Sequence, residues 1–411
     1  MNKRLLIKNA IVCDKDTYEK KEVLIENGLI KSVESRIKEN CEVIDGRNQI
    51  LMPAFVDLHA HFRDPGYTYK EDIITGSQAA VKGGYTTVNL MANTLPVCND
   101  DQVLEKNLTK AKEIDLIDIF QVCSITKDFN GRDCQHIEKI TNKGCKMISD
   151  DGYGVESDEV MKKAMETALN MGLIVSSHAE YKQISKKNTR LSENLMTQRD
   201  LLLCEKTKAR LHMAHVSTKE AIDMIAKAKV KGINVTCECT PHHLVLSDAV
   251  NYNVHPPLRK KDDIEALIKG IQDKTVDCIA TDHAPHSTQD KKEGSPGMTG
   301  IELAFSICYT HLVLAKRITL MKLSELMSYN PAQILGINKG IIQKGVNADL
   351  ILIDPDKEFQ VNGADFYSKG HNTPFEGKIL KGKITLVMKG GLRKFENDHI
   401  IERRKNGHTI L

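Results

Sequence analysis

The stretch that decides the fold is "AFVDLHAHFRDPG", Ala54 to Gly66, in which Asp57, His59, His61 and Arg63 take alternate positions of an otherwise apolar run. Residues two apart on an extended strand share a face, so these four point one way while Val56, Leu58, Ala60 and Phe62 point the other. Such a strand suits the wall of a closed barrel, with polar chemistry inside and helices packed outside. His-x-His alone is a weak signal, because paired histidines also serve as ordinary hydrogen-bonded polar residues. The position of this pair, after an apolar strand and before the turn signal "DPG", raises the metal reading.

Working outward, further short β-rich runs follow: "TTVNLM", "IDIFQVCSI", "CKMISD", "LIVSSH", "ARLHMAH", "INVTCEC" and "VDCIATD", which with "QILMPAFVDLH" make eight. Between them lie amphipathic stretches such as "SDEVMKKAMETALNMG" and "TKEAIDMIAKAKVKG", each closed by a glycine. Eight strand–helix units predict an α/β chain folded as a (β/α)8 TIM-type barrel over 51–339. The flanking segments 1–50 and 340–411 instead show short strands punctuated by Asn-Gly, Lys-Gly and Gly-Gly. They predict a small composite β-sandwich built from both ends. "HSTQDKKEGSPGMTG", His286 to Gly300, is the most loop-like internal stretch.

Repetition then strengthens the metal reading. His178 ends "LIVSSH", His215 ends "LHMAH" and Asp282 ends "VDCIATD", so metal-capable side chains close several expected strands. Imidazoles and carboxylates converging above a barrel suit zinc or a similar divalent ion. His212, an odd number of residues from His215, should face the other way and be structural.

Composition narrows the partner. The 411 residues are 41% hydrophobic, and 58 basic against 55 acidic side chains leave a net charge of +3. No basic stripe of the kind nucleic acid demands is present, which favours a small-molecule partner. No apolar run reaches the ~18 residues of a membrane span, and the N-terminus lacks a secretory pattern. Eleven scattered cysteines read as reduced thiols of a cytoplasmic protein.

Taken jointly, "DLHAHFRDPG", "MANTLP", "SDDGYGV", "SSHAE", "AHVST", "CECTPHHL", "HPPLR", "ATDHAPH", "YNPAQILG" and "NTPFEGK" resemble the type I bacterial dihydroorotases of the amidohydrolase superfamily, from end to end. That resemblance implies a zinc-dependent cyclic amidohydrolase, interconverting N-carbamoyl-L-aspartate and (S)-dihydroorotate in the third step of de novo pyrimidine biosynthesis. It implies His59, His61, Asp151, His178, His215 and Asp282 as metal-site positions, with one or two Zn2+ per chain. Arg63, Asn93 and His286 would bind the anionic substrate. A metal-activated hydroxide would attack the ring amide, with Asp282 as general acid and base. A homodimer and an association with aspartate transcarbamoylase are implied partners.

Two positions strain the pattern. Lys146, in "GCKMISDDG", lies where some superfamily members carry a carbamylated bridging lysine, although the match of "SDDGYGV" favours Asp151. His255, in "NVHPPLR", stands where the pattern often has an asparagine that contacts the substrate ring, and it is counted with the substrate-binding residues. His242 and His243 are assigned supporting roles, and "CEC" is read as core-facing thiols. Asp57, deepest on its face, is read as a buried polar partner rather than a ligand. The rival readings are an allantoinase- or hydantoinase-like cyclic amide hydrolase and a non-catalytic scaffold for aspartate transcarbamoylase.

Overall fold

Eight parallel strands form the barrel: β1 Phe55–Ala60, β2 Tyr85–Leu90, β3 Asp118–Gln121, β4 Met147–Ile148, β5 Ile174–Ser177, β6 Arg210–Met213, β7 Val235–Cys239 and β8 Cys278–Ile279. They are seen in a computed structural model of the chain, which describes residues 4–141 and 143–401. β1 to β3 pair in parallel, as do β4 to β8. Single parallel bridges, Cys123 to Ile148 and Ala60 to His283, join the two runs into a ring. β1, β2 and β5 are buried at every residue, as parallel strands covered on both faces must be.

Several of the helices between the strands start where short polar side chains cap them. Ser157 caps Asp158–Met171, whose far end is stopped by Gly172 at φ 71°. Thr218 caps Lys219–Val230, and Asp72 makes a capping box at the start of Ile73–Lys82. Each cap satisfies amide groups that the first helical turn leaves without partners.

Both termini build the β-sandwich. One sheet orders Leu29–Glu34, Glu22–Glu26, Arg4–Lys8 and Glu42–Asp45, and a seven-stranded sheet mixes N- and C-terminal strands. Asn27 and Gly28 turn the hairpin between Glu22–Glu26 and Leu29–Glu34 at φ 53° and 84°, and Gly390 and Gly391 turn another at 53° and 71°. Positive φ at both central positions is what a tight two-residue hairpin needs. Residues 1–3 and 402–411 of the expected sandwich segments lie outside the described residues.

Two expectations shift. "QILMPAFVDLH" is not one strand: Ile50–Pro53 pairs with Leu350–Ile353 in the sandwich, and the barrel strand begins at Phe55. Hydrophobicity marks the run as buried but carries no information about which sheet it joins. The stretch 286–300 is not all loop, since Ser287 caps a short helix at Thr288–Lys292. The mouth of the barrel lies at the C-terminal strand ends, and the expected site residues cluster there.

Candidate metal centre

Strand geometry delivers only part of the site. His59 lies within β1, but His61 falls just beyond it and Arg63 has left the extended region, with φ 58°. His178 follows β5 directly, whereas His215 and Asp282 sit two and three residues past their strands with φ 31° and 46°. Left-handed backbone at three site residues that are not glycine marks strain held by the surrounding structure.

Asp151 stands at the centre. Its carboxylate lies 3.3 Å from His59 Nε2, 3.5 Å from His61 Nε2, and 3.3 Å from both His178 Nδ1 and His215 Nε2. Asp282 Oδ1 lies 3.1 Å from His61 Nε2 and 3.6 Å from His59 Nε2, and His178 Nδ1 is 2.9 Å from His215 Nε2. Two ligand groups result, His59–His61–Asp151 and Asp151–His178–His215, sharing the aspartate. Ligands ~2.0–2.1 Å from a tetrahedral ion stand roughly 3.3–3.4 Å apart, which matches these separations. His59 Nε2 is buried and has no hydrogen-bond partner. A donor set of four imidazoles and two carboxylates therefore fits divalent metal.

The electrostatics follow. Burial works against charge on Asp151, yet His59, His178 and His215 hold its carboxyl well below the usual carboxylate range. Burial likewise opposes charge on Asp282, but His61 and His59 hold it low. Burial would strip the proton from His59, but the carboxylates of Asp151 and Glu238 outweigh it and lift its pKa well above the ordinary value.

The outward nitrogens of three of the four ligand histidines are also occupied. His59 Nδ1 meets Glu238 Oε1 at 2.8 Å, His61 Nδ1 meets Asn93 Oδ1 at 2.9 Å, and His178 Nε2 meets Glu180 Oε2 at 3.3 Å. An oxygen accepting from one ring nitrogen leaves the lone pair of the other for metal. Glu238 was missed in reading "CEC" as thiols only. Cys237 and Cys239 are buried thiols as expected, but the glutamate between them is 1% exposed and bonds both His59 and His212. A lone carboxylate in an apolar strand was the available signal. Asp57 accepts from the backbone and hydroxyl of Thr281, as a buried polar partner does.

Beside the ligands two cations gather around His286. Arg63 Nη2 is 3.5 Å from His286 Nε2, Lys70 Nζ is 3.4 Å from His286 Nδ1, and Arg63 Nε is buried without a partner. Burial, then Arg63 and Lys70, push the His286 pKa down to about 3, so the ring is neutral near pH 7. Lys70 is a second missed residue; it also pairs with Asp290 at 3.2 Å. Asn93 turns its oxygen to His61, leaving its amide N–H groups for other partners. His255 meets Glu180 at 3.2 Å and stacks on His178, so its imidazole is engaged at the rim of the ligand cluster. Lys146 joins the β-ladder through its carbonyl, which accepts from Ile174; Asp151 is the residue among the imidazoles.

A parallel barrel with histidines and aspartates gathered at its C-terminal mouth defines the class of metal-dependent barrel hydrolases. The Amidohydrolase family model matches residues 50–393. The dihydroorotase of Clostridium botulinum (strain Eklund 17B / Type B) is 48% identical over 395 residues, covering 95% of this chain and 99% of that protein. The dihydroorotase of Ruminiclostridium cellulolyticum is 39% identical over 417 residues, covering 94% and 97%. The chain belongs to the dihydroorotases of the amidohydrolase family. Its fold is shared more widely: the L-hydantoinase (dihydropyrimidinase) from Arthrobacter aurescens superposes with a TM-score of 0.89 at 24% identity, covering 98% of both chains.

Proposed function

We propose that the protein catalyses the reversible cyclisation of N-carbamoyl-L-aspartate to (S)-dihydroorotate and water. The observation that carries this reading is the convergence of four histidines and two aspartates beside a pocket of Arg63, Lys70 and His286. His59, His61, Asp151, His178, His215 and Asp282 would hold one or two zinc ions, with Asp151 rather than Lys146 shared between them. Bound there, zinc supplies Lewis acidity and makes water acidic enough to attack near neutral pH.

The protein's own groups do the rest. Arg63 pairs with the substrate carboxylate, and neutral His286 and the Asn93 amide donate to its oxygens. Asp282, ionised and at the mouth, accepts the proton of the attacking water. It then delivers that proton to the ring nitrogen as the amide opens. In the biosynthetic direction it removes a proton from the ureido nitrogen as the ring closes and water leaves.

The barrel over 51–339 carries this chemistry in our reading, with 1–50 and 340–411 as its composite companion. The C-terminal part reaches the mouth, where Asn372 Oδ1 accepts from the backbone N–H of His286 at 3.2 Å. Eleven free cysteines, ten of them buried, support residence in a reducing cytoplasm. No helix among the described residues is long and apolar enough to cross a membrane. A homodimer, and association with aspartate transcarbamoylase, extend the proposal on the strength of the resemblance.

The test is an absorbance assay of dihydroorotate loss run beside hydantoin and allantoin, with metal content measured on the same protein. Turnover of dihydroorotate that vanishes on chelation and returns with zinc is expected. Turnover of hydantoin or allantoin alone would overturn the substrate, and an inert, metal-free protein would support a scaffold instead.

A further inference from the structure

His178 presents its two nitrogens to different surroundings. Nδ1 faces the shared Asp151 carboxylate at 3.3 Å, while Nε2 faces Glu180 Oε2 at 3.3 Å. The other oxygen of Glu180 lies 3.2 Å from His255 Nε2, and the two rings stack with centroids 5.3 Å apart. An ionised carboxylate only accepts, so both imidazoles donate N–H to Glu180. A neutral imidazole that donates from Nε2 keeps its lone pair on Nδ1, the nitrogen aimed at the ligand cluster.

We propose that His255 is a positioning residue of the metal centre: it holds Glu180, and Glu180 sets the tautomer and ring plane of His178. The inference rests on the metal-centre reading above. It moves His255 from the substrate ring to the metal.

The same device occurs twice in this site, which is the main support. On the opposite side His212 Nε2 meets Glu238 Oε2 at 3.0 Å, and Glu238 Oε1 meets His59 Nδ1 at 2.8 Å. Each of two ligand histidines is thus backed by a glutamate that a further histidine grips. The His255 loop is itself anchored. His243 accepts from the Thr240 hydroxyl at Nδ1, 2.7 Å away, and donates from Nε2 to the carbonyl of Pro256 at 2.9 Å. The "TPHH" stretch thereby fixes the backbone next to His255 from the end of β7. Unlike His212, His255 is half-buried, with 31% of its side chain exposed. It can therefore be replaced without opening the core.

The experiment strips the full-length protein of metal and titrates it with zinc against a chromophoric chelator, with dihydroorotate turnover followed in parallel. Removing a group that orients a ligand weakens metal affinity by roughly 10–100-fold. His255→Ala should lose about 10-fold, and His255→Gln, whose amide can donate to Glu180, should recover most of that. Glu180→Ala should lose up to about 100-fold. The double variant should be no weaker than Glu180→Ala, because His255 acts through the glutamate. Unchanged zinc affinity in His255→Ala, with a raised KM for dihydroorotate, would make His255 a substrate contact and overturn the inference alone. Wild-type protein that takes up no zinc would overturn the metal-centre reading and this inference together.

Discussion

In the proposed mechanism two demands meet at Asp282, because the group must stay ionised while buried and must still exchange a proton during each turnover. Its oxygen lies 3.1 Å from His61 and 3.6 Å from His59, which keep the carboxyl low against the cost of burial. Asp282→Asn keeps the shape and an oxygen but cannot take a proton. Turnover should fall by at least about 10²–10⁴-fold, with zinc content near that of wild type by metal analysis. Near-normal turnover would remove Asp282 from the proton path. At this scale His59, His61, His178, His215 and Asp282 were legible, because each closes or follows a recognisable apolar run. Glu238 and Lys70 were not, since their roles depend on which strand end or loop they are brought against.

The loop from Arg63 to Lys70 carries both cations of the proposed pocket. Gly66 sits in it at φ 99°, and a Cβ there would collide with the Leu95 carbonyl oxygen and come within 2.8 Å of the Leu95 Cα. The loop is held to its neighbour by the bond from Leu95 N–H to the Pro65 carbonyl, 2.9 Å. Gly66→Ala must therefore both strain the backbone and push the two loops apart. A stability loss of about 1–3 kcal/mol is expected in urea unfolding, with KM for dihydroorotate rising severalfold because Arg63 and Lys70 move together. An unchanged KM would mean the pocket does not depend on this contact. "DPG" announced a turn in the sequence, but not the loop against which it closes.

Across the whole molecule, barrel and sandwich are joined by a buried ammonium. Lys339 is 6% exposed and lies 2.6 Å from both Asp118, on β3, and Asp349, beside the sandwich strand Leu350–Gln360. Burial disfavours its charge, but Asp349 and then Asp118 outweigh it and raise the pKa. A lysine with a raised folded pKa contributes stability that is complete below its unfolded value of ~10.4 and is lost as pH rises through the folded one. Lys339→Met should cost about 3–5 kcal/mol by leaving the buried Asp349 carboxylate without its cation, whereas Asp118 keeps Lys389 at 2.9 Å. It should also flatten the alkaline end of a stability-against-pH curve measured by urea unfolding. If that curve keeps its alkaline fall, Lys339 is not its source. Metal removal acts globally too: chelation should lower Tm and zinc should restore it, since a ligand bound only by the folded state stabilises that state. A Tm indifferent to zinc would count against a bound metal.

The chain by itself determined the eight-strand pattern, the two-ended sandwich and the strand-end histidines. Side-chain period, capping residues and turn chemistry are local properties that a linear string preserves. Tertiary structure alone decided that Ile50–Pro53 leaves the run of β1 for the sandwich, because sheet membership is a matter of partners rather than of hydrophobicity. It decided that Asp151 stands between two pairs of histidines. It also turned His255 toward Glu180 and set Glu238 behind His59. The side-chain relations among them join residues up to 179 positions apart, and no spacing along the sequence encodes a distance that only barrel closure creates.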